Sequence, residues 1–300
     1  MSGALMAFLF PPKCIFCGAP MPAGAELAIC GQCAGRVPFC AGEYIFGGRA
    51  LANPHGCDAA IGALAYEGVA RAALARYKFA QRPEYGRTFA ALLCAKIARV
   101  AAAEANARLT APGAPAHGAA GGTAYGVPAC GADAYGAHAY GADAYGAHMR
   151  GPAGGTANGA AAGPSLGMGA PASGAAGAAM FDIVACVPLS RARENERGYN
   201  QAELMAKLVA AHFGRPFAAR LLRRSAGSLR QSGLQRRERL PNARAAFAAN
   251  LDEAQKAGLG GKRVLLVDDI ATTLSTLNAC ACELKSAGAA RVIGAVAASR

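Results

Sequence analysis

A short aliphatic run, Val264-Leu265-Leu266-Val267, meets two adjacent carboxylates, Asp268 and Asp269, before a hydroxyl-bearing turn opens onto a further segment. Four apolar residues bounded in this way predict a strand buried on both faces. Ser275 to Ala287 then reads as a helix stopped by Gly288, and Val292 to Ala297 as the next strand. The same alternation occurs upstream. Ala59 to Tyr66 and Ile183 to Pro188 are apolar runs of strand length, the second ending in a loop. Val69 to Phe79 reads as a helix, and Arg87 to about Ala103 as a clearer one, because Phe89, Leu92, Leu93, Ile97 and Val100 recur at helical spacing. Asn200 is a good N-cap for a helix that Gly214 closes, with Glu203 completing a capping-box-like pair. Strand–helix alternation of this kind predicts an α/β domain with a parallel sheet.

Two stretches break the pattern. Residues 104–179 are Ala, Gly and Pro with almost no large aliphatic side chains, and they carry a short tandem repeat, GADAYGAHAY followed by GADAYGAH. Such a segment buries too little apolar surface to offset its ordering entropy, which predicts a disordered insertion. His138 and His148 recur within it, without a scaffold to hold a metal. Arg215 to Asn250 is basic and polar and reads as a long loop or hairpin region.

Charge is unevenly spread. Of a formal net charge of +13, the span from Asp182 to Asn250 carries 12 Arg and one Lys against one Asp and four Glu, a local excess of +8. That favours an anionic partner, such as a polyphosphate metabolite or nucleic acid, or else forms a solvated face. The chain starts with only a short apolar run, Ala4 to Phe10, without the basic region of a signal peptide, and has no apolar run long enough to span a membrane, so a cytoplasmic location is expected. In a reducing compartment, clustered cysteines bind metal more often than they form disulfides. Cys14-x-x-Cys17 and Cys30-x-x-Cys33 make two hooks, each supplying two thiolates, which suits a closed, structural zinc site. Cys40, His55 and Cys57 lie outside the hooks and read as ordinary structural residues.

The turn after the acid pair concentrates the chemistry. Backbone N–H groups over Ala271 to Thr276 and at the following helix N-terminus suit a phosphate, with hydroxyls from Thr272, Thr273, Ser275 and Thr276. Asp268 and Asp269 are placed to accept hydrogen bonds from sugar hydroxyls. The same acids could instead cap a helix or hold magnesium.

This stretch resembles the loop that binds phosphoribosyl pyrophosphate (PRPP) in type I phosphoribosyltransferases. Three further segments make the chain similar to the ComF family: Val187-Pro-Leu with Arg197-Gly-Tyr-Asn-Gln-Ala202; Gln231-Ser-Gly-Leu with Arg236-Arg-Glu-Arg239, Asn242 and Phe247; and Tyr66-Glu-Gly with Tyr77-Lys-Phe79. The cysteine hooks fit the same pattern. The resemblance implies a type I phosphoribosyltransferase-like parallel sheet flanked by helices (residues 58–300, interrupted by the 104–179 insertion) behind a zinc-binding module at 1–57. It implies PRPP with Mg as ligand, with Asp268, Asp269, Ala271, Thr272, Thr273, Leu274, Ser275 and Thr276 at the ribose 5-phosphate and Arg191, Arg193 and Arg197 at the pyrophosphate. The three arginines alternate with Glu194 and Glu196, and surface ion pairs are the other reading. Gln231 to Asn242 corresponds to a mobile loop of the family. The reaction would be transfer of phosphoribose to an acceptor the sequence does not identify, and no residue stands out as a general base.

Where the family has glycine, this chain has Leu274, which would cost about 1–2 kcal/mol if a left-handed backbone were required there. A sensor that binds without chemistry is one consequence. A different reading is a non-catalytic accessory protein for DNA uptake, with single-stranded DNA or a helicase-like partner, although no aromatic residues interleave with the arginines as a stacking platform would need.

Overall fold

The computed structural model describes residues 12–22, 25, 27–47, 56–80, 82–110, 180–225 and 246–300. In chain order the helices are α1 (Gly31–Ala34), α2 (Gly68–Phe79), α3 (Tyr85–Thr110), α4 (Arg191–Arg197), α5 (Gln201–His212), α6 (Leu251–Lys256) and α7 (Ser275–Ser286). The strands are β1 (Phe46–Gly47), β2 (Ala59–Ala65), β3 (Ile183–Cys186), β4 (Leu222–Arg224), β5 (Phe247–Ala249), β6 (Arg263–Ala271) and β7 (Arg291–Ser299).

The aliphatic runs become the strands of one sheet, in the order β1-β2-β7-β6-β3. β2, β7, β6 and β3 are parallel, and β1 is added antiparallel at the β2 edge. Residues alternate between two cores, as the period of a strand requires. Ile61, Leu265, Val267, Ile293 and Ala295 face a layer built on α2, α3 and α5, where Leu74, Phe89, Leu93, Ile97, Met205 and Val209 are buried. Ala60, Val264, Leu266, Val292 and Val296 face the opposite layer, with Leu277 and Leu284 of α7, Phe247 of β5 and Leu259. With both faces covered, truncating one central aliphatic such as Leu266 to Ala should cost about 2–5 kcal/mol.

The expected α/β architecture is present, with several boundaries displaced for identifiable reasons. The third helix begins at Tyr85 and continues past Ala103 to Thr110, so residues 104–110, expected to be disordered, are helical. Glu104 is buried there and accepts a hydrogen bond from the Tyr44 hydroxyl, which anchors that turn. The rest of the proposed insertion, with His138 and His148, lies outside the described residues. The loop after β3 contains a helix, α4, which Ser190 caps by accepting from the Arg193 N–H and which Gly198 ends at φ 76°. Asn200 caps α5 by accepting from the Ala202 N–H, whereas Glu203 pairs with Lys207 at 2.7 Å rather than closing a capping box. Within the basic stretch after Arg215, β4 and β5 form an antiparallel pair, and Gln231 to Asn242 fall outside the described residues.

The cysteine-rich segment is bound into the same layer as α2 and α3. Cys14, Ile15 and Phe16 are buried with Tyr77 and Phe89, and the Arg76 guanidinium donates to the Phe16 carbonyl at 2.8 Å. No helix among the described residues is long and apolar enough to cross a membrane.

Candidate functional site

β6 does not stop at Val267. It runs to Ala271, with Asp268 opposite Val296 and Ile270 opposite Ala298 of β7, so the acid pair lies inside the strand. Because successive strand residues point to opposite faces, the two carboxyls diverge. Asp269 turns to the α2 layer, where Lys78 Nζ lies 2.9 Å from its Oδ1, an ion pair with both side chains mostly buried. Asp268 turns to the hairpin layer, and the positive charges of Lys78, across the strand, and then of Arg224 favour its ionised form. Its Oδ1 also accepts the Asp269 N–H at 2.8 Å. Removal from water, and then the adjacent Asp269 charge, outweigh these and push the Asp268 carboxyl up to about 7.

Lys78 reaches this position because α2 buries Ala70, Ala73, Leu74 and Tyr77 on one stripe. Tyr77 fastens the end of the helix by donating from its hydroxyl to the Gln201 carbonyl at 3.1 Å, and it accepts at its own carbonyl from Tyr199. Arg224, at the end of β4, has its guanidinium 4.8 Å from the Phe247 ring centroid, and its Nε donates to the Pro188 carbonyl at 3.3 Å. Burial, then the nearby Arg193 charge, lower the Arg224 pKa. Two guanidinium groups therefore converge where the chain leaves β3.

After Ala271 the chain bends through exposed Thr272 and Thr273 into α7. No side chain caps this helix. The helix-cap reading of the acid pair is thereby excluded, and the first-turn N–H groups keep their donor capacity. Thr273 Oγ1 and Ser275 Oγ lie 3.1 Å apart. Leu274 has φ −79° and ψ 5°, an ordinary backbone for any L-residue, and its side chain packs partly buried on the apolar cluster beneath α7. The left-handed penalty expected from the glycine replacement does not arise.

The three arginines separate. Arg191 and Arg193 are exposed on α4. Arg197 is buried, donates to Gln201 Oε1 at 3.1 Å and lies 5.1 Å from the Phe79 ring centroid. Neither Lys78 nor Arg224 is singled out from the sequence for this region, although Lys78 stands in the quoted Tyr77-Lys-Phe79 segment. A cleft of about 460 Å³ lined by Ile183, Phe217, Arg220, Glu253 and Lys256 lies at the amino end of β3, opposite to the acid pair.

Away from the sheet, the sulfurs of Cys14, Cys17, Cys30 and Cys33 lie within 4.8 Å of one another, with Cys17 and Cys30 at 3.6 Å. Four thiols at tetrahedral zinc stand roughly 3.8 Å apart, so the cluster fits such an ion with slight contraction. Burial raises the Cys14 thiol, but N–H groups of Cys17, Cys30 and Phe16 outweigh it and bring it down to about 6. Burial and its three neighbours push Cys33 up to about 12. Cys57, buried, is pushed up to about 12, and Cys40 Sγ sits 3.3 Å from Ser299 Oγ; neither joins the cluster.

No protein-family model matches the chain. It is 35% identical over 92 residues to "Competence protein F" of Haemophilus influenzae, covering 31% of this chain and 39% of that protein. It is 34% identical over 111 residues to "Competence protein ComFC" of Bacillus subtilis, covering 37% and 41%. The chain thus spans about two fifths of the length of these curated relatives. Among solved structures it is similar to the allosteric regulatory enzyme of purine biosynthesis (23% identity, 39% of this chain, 22% of that chain, TM-score 0.27). A second is the glutamine PRPP amidotransferase of B. subtilis complexed with ADP and GMP (22% identity, 39% and 22%, TM-score 0.26).

Proposed function

We propose that this relative of the ComF competence proteins binds PRPP at the carboxyl ends of β3 and β6 and transfers its phosphoribosyl group to an acceptor with release of pyrophosphate. The observation that carries the reading is the acid pair of β6, with the Lys78 ammonium 2.9 Å from Asp269, next to an uncapped helix N-terminus. Open α/β sheets hold ligands at this end.

In this reading Asp268 and Asp269 accept hydrogen bonds from the ribose hydroxyls. The backbone from Ala271 through Leu274, with the hydroxyls of Thr272, Thr273, Ser275 and Thr276, donates to the 5-phosphate. Arg191, Arg193 and Arg224 face the pyrophosphate, and Arg197 holds the turn beneath them. Magnesium, bound together with the diphosphate, would supply further charge neutralisation there. The acceptor's nucleophilic atom forms a bond to the anomeric carbon as the carbon–oxygen bond to pyrophosphate breaks, and the acceptor's proton leaves to solvent or to the departing diphosphate. The protein's task is to position the reactants and stabilise that departing charge. Cys14, Cys17, Cys30 and Cys33 hold a structural zinc.

Calorimetric titration of PRPP with magnesium, coupled to assay of pyrophosphate release with nucleobase and amine acceptors, tests this. Micromolar to submillimolar binding that Asp269→Asn weakens at least tenfold is expected. Absence of any PRPP binding by the unaltered chain would remove the reading.

A second reading draws on the relatives' names and on the exposed Arg191, Arg193, Arg220 and Arg223: attachment to single-stranded DNA or to a helicase-like partner during DNA uptake. It requires DNA affinity that falls steeply with salt and is indifferent to PRPP.

A further inference from the structure

Two adjacent carboxylates form a poor landing place for a ligand that carries several phosphate charges of its own. In this fold one of the two acids, Asp269, is met by a cation from the α2 layer: the Lys78 ammonium lies 2.9 Å from its Oδ1, with the two side chains 18% and 12% exposed. Among the described residues Lys78 has no other ion pair and Asp269 no other cation at contact distance. The helix that delivers it is fixed on both sides of the lysine. Tyr77 is buried and bonded to the start of α5, and Phe79 lies beneath the Arg197 guanidinium. An ammonium so placed is not a solvated surface charge, because its partner sits in a central strand at the ligand-binding edge of the sheet.

We propose that Lys78 is a positioning residue of the sugar-phosphate site: it holds the Asp269 carboxylate in place from the α2 side and cancels its charge, so that a polyanionic sugar diphosphate can settle on the acid pair. The proposal rests on the PRPP reading above and adds to it a residue that acts through Asp269. Lysine donates through a compact ammonium and leaves Oδ2 of the carboxylate open to a sugar hydroxyl. With Lys78 neutralised, the missing positive charge must come from solution, and the divalent cation is the nearest substitute. Binding by the altered protein should therefore depend more steeply on magnesium than binding by the parent. A side chain that merely supported the helix would produce no such dependence.

The test is calorimetric titration of full-length protein with PRPP over a range of magnesium concentrations, using the parent, Lys78→Gln, Lys78→Arg, Asp269→Asn and the Lys78→Gln/Asp269→Asn double variant. Lys78→Gln should bind about tenfold more weakly at low magnesium, as expected for one partly screened charge, and recover part of that loss as magnesium is raised. Lys78→Arg should restore most of the affinity at every magnesium concentration. In the double variant the Lys78 substitution should add little to the loss caused by Asp269→Asn, because an amide needs no counter-charge. Parent-like binding by Lys78→Gln, a loss that magnesium leaves untouched, or losses that simply multiply in the double variant would each overturn the proposal. Collapse of the circular dichroism spectrum in Lys78→Gln would make the pair a structural strut and overturn it as well. If Asp269→Asn loses binding while Lys78→Gln does not, only this inference fails; if the parent itself does not bind PRPP, the PRPP reading fails with it.

Discussion

Replacing Leu274 by glycine separates two accounts of the turn between β6 and α7. If the leucine were a lesion, glycine should relieve strain and tighten PRPP binding. The structure argues the reverse. At φ −79° and ψ 5° there is no left-handed penalty to remove, and the side chain rests partly buried on the cluster beneath α7. Loss of about half of a leucine's burial is worth about 1 kcal/mol. Added freedom of the unfolded chain contributes about 0.5–1 kcal/mol more. Glycine is a better N-cap than leucine, which returns a few tenths of a kcal/mol. The net expectation is a destabilisation of ~1.5 kcal/mol, a fall in melting temperature of roughly 3–6 °C for a domain of this size. PRPP affinity should stay within about threefold or weaken, since a loosened loop must be ordered on binding. Thermal unfolding and calorimetry on Leu274→Gly and the parent decide the matter. A tenfold gain in affinity without loss of melting temperature would refute the reasoning and identify the leucine as an obstruction to phosphate.

The remaining expectations address other parts of the molecule. Asp268→Asn keeps an oxygen to accept the Asp269 N–H but removes an acid whose pKa of about 7 lies above the usual carboxylate value. The folded parent holds a proton there that the unfolded chain releases, so its stability falls as pH rises from about 4 to about 7. Asp268→Asn should therefore melt higher than the parent at pH 8, with the advantage vanishing near pH 4, while losing PRPP binding. Arg224→Gln should weaken PRPP about tenfold and leave ribose 5-phosphate affinity unchanged, as measured by parallel titrations. Cys17→Ser should lower bound zinc, assayed by elemental analysis, and lower the melting temperature, because Cys14, Ile15 and Phe16 share the core with Tyr77 and Phe89.

Much of this was legible in the sequence because the signals were local. The aliphatic runs at Ala59, Ile183, Val264 and Val292 became the four parallel strands, and the two cysteine hooks closed on one another. Legibility failed where the physics is non-local or the pattern is polar. The extension of β6 to Ala271 is hidden because the acids interrupt the apolar run, although pairing with β7 carries the strand onward. α4 has the sequence RARENER, without an apolar stripe, and only Ser190 before it and Gly198 after it mark its ends. Lys78 meets Asp269 from a segment remote in sequence, and no spacing rule announces such an encounter. For Leu274, composition posed a question about backbone geometry that only dihedral angles could answer.

One consequence follows from the place of β7. The strand nearest the carboxyl end of the chain is inserted between β2 and β6, with β2 contributed by the amino-terminal half. Any product of synthesis that stops short of Arg291 leaves two unjoined sheet fragments, each exposing a ladder of unpaired amides and carbonyls. Assembly must wait for long-range pairing, which predicts slow folding and a need for protection in the interval. The keystone strand thus makes the placement of the acid pair an all-or-none property of the whole sheet.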